Sequence, residues 1–407
     1  MKNFFVDLHV HIGRSSKSDV IKRATANNLT FENIAYEAYH RKGIDIIGVV
    51  DAASPSIIKD IQNMLERGEI IEHPQGGMVY KENLSILLGA EIETREINRG
   101  HAHSLIFFPT LEQIVAFSNT MKGHIKTGKF VYNLTRLPAQ ELFNICESHG
   151  GVYIPAHVFS PHKSFYGNCC DSLLQIFTEE TFEKIPAIEL GLSADTAMAS
   201  QLSELDGKTF TSNSDAHSLI KMGREYNIFQ MKDNNYNEVM LALRNKNGRR
   251  VFANYGLDPK LGKYHRSFCI NCNTVIDGVP PKLQCPVSPK HKIVRGVYDR
   301  IEQIKDRNKP KTADRPPYHC QLPLEFLPGI GPKTIDTLIN ALGTEMNILH
   351  DTKFEDLQKV VGEKHAHNII LAREGRLEIE HGGGGIYGKV MVVHGSQFTV
   401  HSNLPRT

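Results

Sequence analysis

The stretch FFVDLHVH at residues 4–11 decides how this chain is interpreted, because it joins an apolar strand pattern to alternating polar side chains. Alternate side chains of a strand lie on one face, so Asp7, His9 and His11 are predicted to point in the same direction. Two imidazoles and a carboxylate that converge in this way are typical metal ligands. A lone His-x-His also fits an amphipathic strand with surface histidines, and the rest of the chain has to decide between these interpretations.

Short apolar runs alternate with amphipathic, helix-like stretches over residues 1–256. This order favours an α/β fold with a parallel sheet, and about seven such units favour a (β/α)7 barrel over an open sheet. Barrels of this type carry their chemistry at the carboxyl ends of the strands. Polar side chains of the metal-ligand type follow most of the runs, which indicates a metal centre on that face.

The metal ligands predicted from these positions are His9, His11, Asp19, Asp51, Glu91, His103, His157, Asp215 and His217. His103 precedes its apolar run, so it needs a local antiparallel strand to reach the same face. Glu91, Asp215 and His217 are also the predicted catalytic residues, and Asp7 is predicted to orient an imidazole. A carboxylate and imidazole cluster that holds several divalent ions lowers the pKa of a bound water and clamps the oxygens of a phosphate ester, so the predicted reaction is phosphoester hydrolysis.

Length and composition exclude several classes of protein. The chain has 407 residues, of which 40% are hydrophobic and 23% charged, as in a soluble globular protein of two or three domains. No window has the length and hydrophobicity of a signal peptide or membrane span, so we expect a cytoplasmic protein without a membrane partner. The 7 scattered cysteines do not form a disulfide framework and fit a reducing compartment. The net charge of +2 is too small to indicate nucleic-acid binding by itself.

A cysteine cluster follows the predicted barrel. Cys269 and Cys272 have the Cys-x2-Cys spacing of a zinc knuckle, and Cys285 supplies a third thiolate. A closed tetrahedral site needs a fourth ligand. A zinc ribbon would repeat the cysteine at position 288, but this residue is Ser288, so His291 is the predicted replacement. We expect one structural zinc ion, which stabilises a module that has little core of its own.

The stretch LPGIGPKT at residues 327–334 is predicted to be a hairpin between helices, because its glycines allow a tight turn and close backbone approach. It resembles the helix-hairpin-helix motif, which binds nucleic-acid phosphates through the amides of the turn. The residues concerned here are Gly329, Ile330, Gly331 and the cation Lys333. A protein-binding hairpin is the alternative. The predicted domains are the barrel, the zinc module, a linker and a helical DNA-binding domain, at residues 1–256, 257–300, 301–321 and 322–407.

Four further side chains are candidates for DNA contact. Arg14 follows the His-x-His strand and Arg224 lies in a Gly-Arg-Glu segment, and guanidinium groups match phosphate oxygens. The loop FSPHKSFYG at residues 159–167 contains His162 and Lys163 and mixes aromatic, hydroxyl and basic groups. It is a candidate lining for a pocket that holds a flipped base. Surface solvation is the alternative for the two arginines, and an ordinary connecting loop is the alternative for this segment.

The motifs that carry ligands are DLHVH, GAE, PAH and SDAH, at residues 7–11, 89–91, 155–157 and 214–217. In this order they resemble the polymerase-and-histidinol-phosphatase (PHP) domain family over residues 1–256. The resemblance implies a distorted seven-stranded barrel with two or three divalent metals, which are Zn, Mn or Mg. Many PHP domains have Thr-Asp-His after the second strand. This chain has Val50-Asp51-Ala52, so one usual histidine is absent and Asp51 is in question as a direct ligand.

The order of barrel, zinc module and hairpin resembles the endonuclease Q family of PHP-domain DNA repair enzymes over nearly the full length. The most specific stretches are VDAASP, AHVFSPHK, SDAH and GRE, at residues 50–55, 156–163, 214–217 and 223–225. The resemblance implies a metal-dependent endonuclease that cuts double-stranded DNA 5′ to deaminated bases (uracil, hypoxanthine, xanthine) and abasic sites. We expect a monomer, with a sliding clamp as a candidate partner. The alternatives are a PHP-type small-molecule phosphatase, which would not need the hairpin, an exonuclease, and a DNA-binding scaffold without catalysis.

Overall fold

The computed structural model describes residues 1–96, 100–125 and 134–390. The strands are β1 Lys2–Val10, β2 Ile46–Val49, β3 Ile70–Glu72, β4 Met78–Tyr80, β5 Leu84–Arg95, β6 His101–Phe108, β7 Val152–Pro155, β8 Ala187–Glu189, β9 Thr209–Thr211, β10 Tyr226–Met231, β11 Arg250–Gly256, β12 Phe268–Cys269, β13 Thr274–Val275, β14 Ile293–Val294, β15 Tyr318–Cys320, β16 Ile379–Glu380 and β17 Lys389–Val390. The helices are α1 Phe31–Glu37, α2 Pro55–Glu66, α3 Leu111–Met121, α4 Ala139–Ser148, α5 Glu179–Lys184, α6 Thr196–Ala199, α7 Tyr236–Leu243, α8 Val297–Ile304, α9 Pro332–Leu342, α10 Glu345–His350 and α11 Phe354–Arg373. The fold is mixed α/β.

β1 lies inside the largest sheet, whose order is β15-β11-β10-β1-β2-β5-β4-β3, with β6 joined to β5 and β7 joined to β6. β1 and β2 pair in parallel, as do β2 and β5. However, β10 runs antiparallel to β1 and β11 runs antiparallel to β10. The prediction of a parallel sheet is therefore wrong for this half of the molecule. β10 joins the edge of β1 in the opposite direction, and the segment that contains α7 brings the chain back to the same end of the sheet, where β11 begins as an antiparallel neighbour.

β5, β6 and β7 form an antiparallel meander. This arrangement supplies the local antiparallel strand that His103 needs in order to lie near Glu91. β8 and β9 form a separate parallel pair, and its edges contact β7 and β11 without strand hydrogen bonds in the part of the chain that the structure describes. Because the hydrogen bonding does not close a ring there, the distorted (β/α)7 barrel stays a prediction.

The alternation of side chains along β1 is interrupted near its end. The register of β1 against β2 shifts between Asp7 and Val10. Val6 and Leu8 pack in one core cluster with side chains of α7, whereas Val10 packs in the other cluster with side chains of α1 and α2. A bulge of this kind turns a strand by one residue and redirects the side chains that follow. The prediction that Asp7 shares a face with His9 and His11 is therefore wrong.

The cysteine segment forms a small antiparallel sheet of its own, in the order β13-β12-β14. Its apolar core consists of the buried side chains Cys269, Ile276 and Cys285. Such a core is too small to hold a module together without a further constraint such as a metal ion.

The segment predicted as a linker packs against the main sheet. β15 pairs in parallel with β11, and the guanidinium of Arg315 lies 3.8 Å from the ring centroid of Phe210. Proline and charge therefore do not keep these residues free of contact. The predicted division into domains stays a prediction, and residues 391–407 of its last domain lie outside the described residues.

The hairpin with Gly329 and Gly331 precedes α9, but the element before it is a single 3-10 turn, Leu324–Phe326, and not an α-helix. Gly329 has a φ of +81°, which an L side chain rarely adopts. Ile330 is buried and anchors the turn to the apolar face of the C-terminal helices. α11 contains one residue with non-helical angles, Gly362. None of the described helices is long and apolar enough to cross a membrane.

Candidate metal centre

Three donor atoms from distant parts of the chain meet at the carboxyl end of β1. The Nε2 atoms of His9 and His11 are 3.2 Å apart, and they lie 3.5 and 3.3 Å from Oδ1 of Asp215. Metal bonds of about 2.0–2.1 Å in tetrahedral geometry place neighbouring ligands about 3.3 Å apart. The spacing of these three atoms therefore fits one face of a metal coordination shell, and both imidazoles are fully buried.

A second group of donors lies beside the first and consists of Glu91, His103 and His157. Oε1 of Glu91 is 2.6 Å from Nδ1 of His103 and 3.5 Å from Nε2 of His157. The same oxygen is 3.4 Å from Nε2 of His9, and the other oxygen of Glu91 is 3.5 Å from Nε2 of His11. The Glu91 carboxylate therefore lies between the two groups, where it can bridge two metal ions.

Two buried carboxylates orient the imidazoles of β1. Nδ1 of His9 is 3.0 Å from Oε1 of Glu189, and Nδ1 of His11 is 2.8 Å from Oδ2 of Asp51. A carboxylate on the remote ring nitrogen fixes the tautomer and leaves the other nitrogen free to bind a metal. Asp51, predicted as a ligand, lies in this outer position. Sequence reasoning missed Glu189, although a carboxylate inside the apolar run of residues 187–190 was a signal for it.

Asp7 has a different role from the predicted one. Its carboxylate accepts hydrogen bonds from the backbone N–H groups of Ser214 and Gly223, at 3.1 and 3.0 Å, and from the N–H of His9 at 3.3 Å. Burial raises the pKa of Asp7, and these three donors oppose that effect. Asp7 therefore ties the end of β1 to the loop that carries Asp215, and it does not orient an imidazole.

Two of the clustered residues have backbone angles that are unusual for residues other than glycine. His157 has a φ of +29° and Asp215 has a φ of +45°. Such angles cost roughly 1–3 kcal/mol each and persist only where surrounding contacts hold them. The amide of His157 donates to Oε2 of Glu189 at 2.8 Å, and the carbonyl of Asp215 accepts from Nδ1 of His217 at 3.0 Å.

The remaining predicted ligands lie in different surroundings. The ring of His217 is 4.6 Å from that of His11, and burial and the nearby His11 lower the pKa of His217 to about 4. Its imidazole is therefore neutral at pH 7 and able to bind a metal. Asp19, in contrast, is exposed and accepts hydrogen bonds from the hydroxyls of Ser15 and Ser56 at 3.3 and 2.8 Å. The structure does not bring Asp19 into either group of donors.

Lys22 is a further member of the centre that sequence reasoning missed. Its Nζ lies 2.8 Å from Oε2 of Glu91 and 2.7 Å from Nε2 of His11. Lys22 comes from the loop between β1 and α1, where no motif distinguishes it from a surface lysine. A lysine at this position adds a cation beside the metal donors, where it can contact a phosphate oxygen.

The centre opens into a cavity of about 630 Å³. Residues from the main sheet, from the segment before the zinc module and from the C-terminal tail line it, among them Lys22, His162, Lys163, Arg224, Lys263 and Tyr387. Such a volume is within the range of pockets that bind a small ligand or a single nucleotide. Several of the lining side chains are cationic, so the cavity suits an anionic substrate.

The predicted DNA-contact residues divide into two sets. His162, Lys163 and Arg224 line the cavity, whereas Arg14 bonds to Asn27 and to the carbonyl of Ser18 away from it. Nζ of Lys163 pairs with Oε2 of Glu93 at 2.8 Å. Arg224 is buried and donates to the carbonyl oxygen of Ser214 at 2.7 Å, so it supports the loop of Asp215.

The four predicted zinc ligands also converge. Nδ1 of His291 lies 3.6, 3.3 and 3.3 Å from the sulfurs of Cys269, Cys272 and Cys285, and the last two sulfurs are 3.6 Å apart. Tetrahedral zinc with Zn–S bonds of about 2.3 Å and a Zn–N bond of about 2.0 Å needs ligand separations of about 3.5–3.8 Å. The geometry therefore fits a closed Cys3His site, with His291 as its fourth member.

Comparisons with known proteins agree with this arrangement. The lesion-specific endonuclease PfuEndoQ of Pyrococcus furiosus is 30% identical to this chain, with a TM-score of 0.80 and 96% of each chain covered. A structure of endonuclease Q in complex with a 27-mer duplex that has an abasic lesion at the active site is equally similar, with a TM-score of 0.80 and 30% identity over 96% of this chain and 97% of that chain.

Among proteins known by sequence, YqxK of Bacillus subtilis, described as uncharacterized, is 41% identical over 392 residues, which are 96% of this chain and all of YqxK. No protein-family model matches the chain. The similarity to the solved structures extends over nearly the whole of both chains. This chain therefore belongs to the endonuclease Q family.

Proposed function

We propose that this protein is a metal-dependent endodeoxyribonuclease that hydrolyses the phosphodiester 5′ to deaminated bases (uracil, hypoxanthine, xanthine) and abasic sites in double-stranded DNA. One observation carries the proposal. Two groups of metal donors share the carboxylate of Glu91 at the base of a cationic cavity of about 630 Å³, in a chain of the endonuclease Q family. The relative that is bound to a duplex with an abasic lesion supports the substrate class.

The residues that would hold two or three divalent metals are His9, His11, Glu91, His103, His157, Asp215 and His217. Zn, Mn and Mg are the candidate ions for these nitrogen and oxygen donors. When bound, metals supply an activated water and stabilise the charge that develops on a phosphate in the transition state. The sheet that carries these ligands is proposed to be a PHP-type distorted barrel.

The remaining side chains of the cavity have distinct roles in the proposed reaction. Lys22 lies at the donor groups and is placed to neutralise an oxygen of the scissile phosphate. His162 and Lys163 lie at the wall of the cavity, where they are accessible to a nucleotide. A nucleotide turned out of the duplex can enter a cavity of this size, and contacts to the Watson-Crick edge would distinguish uracil or hypoxanthine from normal bases.

The rest of the chain is proposed to hold the duplex. The Cys3His cluster is proposed to bind one structural zinc ion, which its ligand spacing fits. The amides of the turn at Gly329, Ile330 and Gly331, together with Lys333, are proposed to contact the DNA backbone in a helix-hairpin-helix-like mode. Gly331 and Lys333 are consistent with this role. Among the described residues beyond its chain neighbours, none would lie within 4 Å of a Cβ atom on Gly331, and Lys333 is exposed.

An incision assay tests the proposal. Purified protein with Mg²⁺ or Mn²⁺ is incubated with duplexes that carry one deoxyinosine, one deoxyuridine or one abasic site, beside an undamaged duplex and a phosphate monoester. We expect cleavage on the 5′ side of the lesion, which leaves a 3′ hydroxyl and a 5′ phosphate, and no cleavage of the undamaged duplex. Failure to incise any lesion duplex with any of the candidate metals would contradict the proposal.

Two controls separate the alternatives. A covalently closed circular duplex with a single lesion has no end, so its conversion to a nicked circle excludes an exonuclease. Hydrolysis of the phosphate monoester without incision of any duplex would instead indicate a small-molecule phosphatase. The circular substrate is the more informative control, because contaminating phosphatases do not nick it.

A further inference from the structure

The glycine-rich segment near the C-terminus forms part of the cavity wall. β16 and β17 make a hairpin, which we call the C-terminal strap, residues 379–390. The strap bonds through its backbone to the segment that leads into the zinc module. The amide of Gly382 donates to the carbonyl of Lys260 at 2.7 Å, and the amide of Gly385 donates to that of Lys263 at 3.1 Å.

The glycines of the strap are explained by close packing. A Cβ atom on Gly382 would come within 2.6 Å of the carbonyl oxygen of Leu261, and one on Gly384 would come within 2.5 Å of the ring of Phe268 in β12. On Gly388 it would lie 2.1 Å from a carbonyl oxygen of the strap itself. Contacts below 3 Å are not tolerated without movement of the backbone. The strap therefore fits closely against the zinc module, which holds it in place.

This packing places the side chain of Tyr387 in the cavity. Its hydroxyl accepts a hydrogen bond from Nη1 of Arg224 at 2.8 Å, and its ring makes an edge contact with Phe326 at 5.7 Å. Nζ of Lys263 lies 4.6 Å from the centroid of the same ring. A lysine over an aromatic face at this distance is held by cation–π attraction. Tyr387 therefore connects the loop of Asp215 to Lys263.

Lys263 differs from the other lysines of the cavity in its partners. Lys22, Lys163 and Lys221 are each paired with a carboxylate at 2.8 Å, from Glu91, Glu93 and Glu325. Within residues 1–96, 100–125 and 134–390, Lys263 forms no direct ion pair of this kind, and the carboxylate whose charge acts on it is that of Asp215. Partial burial, with Arg224 and Lys221 nearby, lowers the pKa of Lys263. A half-buried cation that has no direct ion-pair partner in the described part of the chain, in a cavity beside metal donors, is suited to bind an anion from the substrate.

We infer that Lys263 binds a DNA phosphate next to the one that is cleaved, and that Tyr387 is the positioning residue that holds Lys263 in place. The inference rests on the proposed function and adds a substrate-binding residue to the same site. It also gives the C-terminal strap a role, because the strap carries Tyr387 across the cavity. The phosphate is a flanking one, since Lys22 already occupies the position at the donor groups.

The experiment measures incision kinetics on a duplex with a tetrahydrofuran abasic site for Lys263→Ala, Tyr387→Ala, Tyr387→Phe and the double variant. Loss of one phosphate contact is expected to raise KM about tenfold, to leave kcat nearly unchanged and to reduce the slope of log affinity against log salt by about one. Tyr387→Phe keeps the ring and is expected to keep KM near the wild-type value. The KM of the double variant is expected to be no higher than that of Lys263→Ala, because the two substitutions remove the same phosphate contact.

Lys246→Ala is the matched control, since Lys246 is exposed at the opposite end of the sheet. The same variants in an Asp215→Asn background report duplex affinity without cleavage. If the wild type incises the duplex and Lys263→Ala has the wild-type KM and salt slope, the inference is wrong. The proposed function is then unaffected. If the wild type incises no lesion duplex, the proposed function fails. Unchanged duplex affinity of the Lys263→Ala protein then overturns this inference as well.

Discussion

The two donor clusters of this protein are built in different ways. The cysteine cluster takes its ligands from residues 269–291, on a small sheet with almost no apolar core. The cluster at β1 takes its ligands from residues 9 to 217, on strands that are buried between two large core clusters. The first is closed by four protein ligands, and the second faces a cavity.

We expect this difference to separate a metal site that stabilises structure from one that performs chemistry. In the cysteine cluster the metal is expected to supply the stability that the core lacks, so ligands and fold depend on each other. At β1, packing in the two core clusters fixes the strands, so we expect the fold there not to depend on the metal. The side chains there can keep an open coordination position for a substrate. We therefore expect substitutions near β1 to reduce cleavage and substitutions in the cysteine cluster to disrupt local structure.

The largest effect is expected for Asp215→Asn. Removing this carboxylate takes one donor from the group with His9 and His11, so incision is expected to fall about a thousandfold, with the folded state retained. Incision rates on an abasic-site duplex and metal content by mass spectrometry measure this. Full incision with normal metal content in the variant would show that Asp215 is not a metal ligand.

Glu189→Gln is expected to have the next largest effect. It leaves every proposed ligand in place and weakens the carboxylate that contacts Nδ1 of His9 and accepts from the amide of His157. Loss of such a partner typically costs about 10–100-fold in metal affinity or activity. Titration of activity against Mn²⁺ measures the loss, and saturating metal is expected to restore part of it. Glu225→Gln is the matched control, because Glu225 is equally buried and no ligand imidazole contacts it in the described part of the chain. Equal losses in both variants would refute the orienting role.

His291→Ala tests the closed cluster. The variant is expected to lose about one equivalent of zinc and to raise KM about tenfold with little change in kcat, because Phe268 of the zinc module supports the strap that holds Tyr387. Zinc content, proteolysis of the module and incision kinetics measure these effects. His124→Ala, at an exposed histidine far from the cluster in sequence, is the control. A variant that keeps its zinc would exclude His291 as the fourth ligand.

The sequence predicts both clusters for different physical reasons. Cys269, Cys272 and Cys285 are close in sequence, and their spacing alone restricts the geometry. His9, Glu91 and most of the other proposed ligands near β1 were predictable because they follow apolar runs, and the carboxyl ends of parallel strands gather on one face. The position of His103 was predicted only conditionally, on an antiparallel strand that β6 supplies.

The structural features that the sequence did not predict depend on tertiary contacts, which leave no local pattern in the sequence. The bulge in β1 that separates Asp7 from His9 results from pairing with β2 and cannot be read from alternation of side chains. Lys22 lies in the loop between β1 and α1, and tertiary contacts determine the conformation of this loop. The sequence assigns no role to the glycines of the strap, whereas in the structure they let the backbone approach Leu261 and Phe268 closely. Close packing of this kind becomes visible only in three dimensions.

The smallest effect is expected from Glu225, and it concerns stability and not cleavage. Its side chain is fully buried and Oε1 accepts a hydrogen bond from the amide of Leu257 at 2.9 Å. Burial raises the pKa of Glu225 from 4.5 to about 8. Between these values the native protein keeps a proton that the unfolded chain has released. The native state then binds more protons, so the free energy of unfolding falls as the pH rises.

The contribution of Glu225 is therefore favourable below about pH 4.5 and is lost progressively toward pH 8, by on the order of 5 kcal/mol in total for a fully buried group. Glu225→Gln has the shape of the protonated side chain and cannot ionise. The Tm of the variant minus the Tm of the wild type is expected to increase by several degrees from pH 6 to pH 8.5. Calorimetry at matched ionic strength measures it. Parallel Tm curves for the two proteins would mean that Glu225 is already ionised in the native state at pH 6, and that burial is offset by the nearby Arg224.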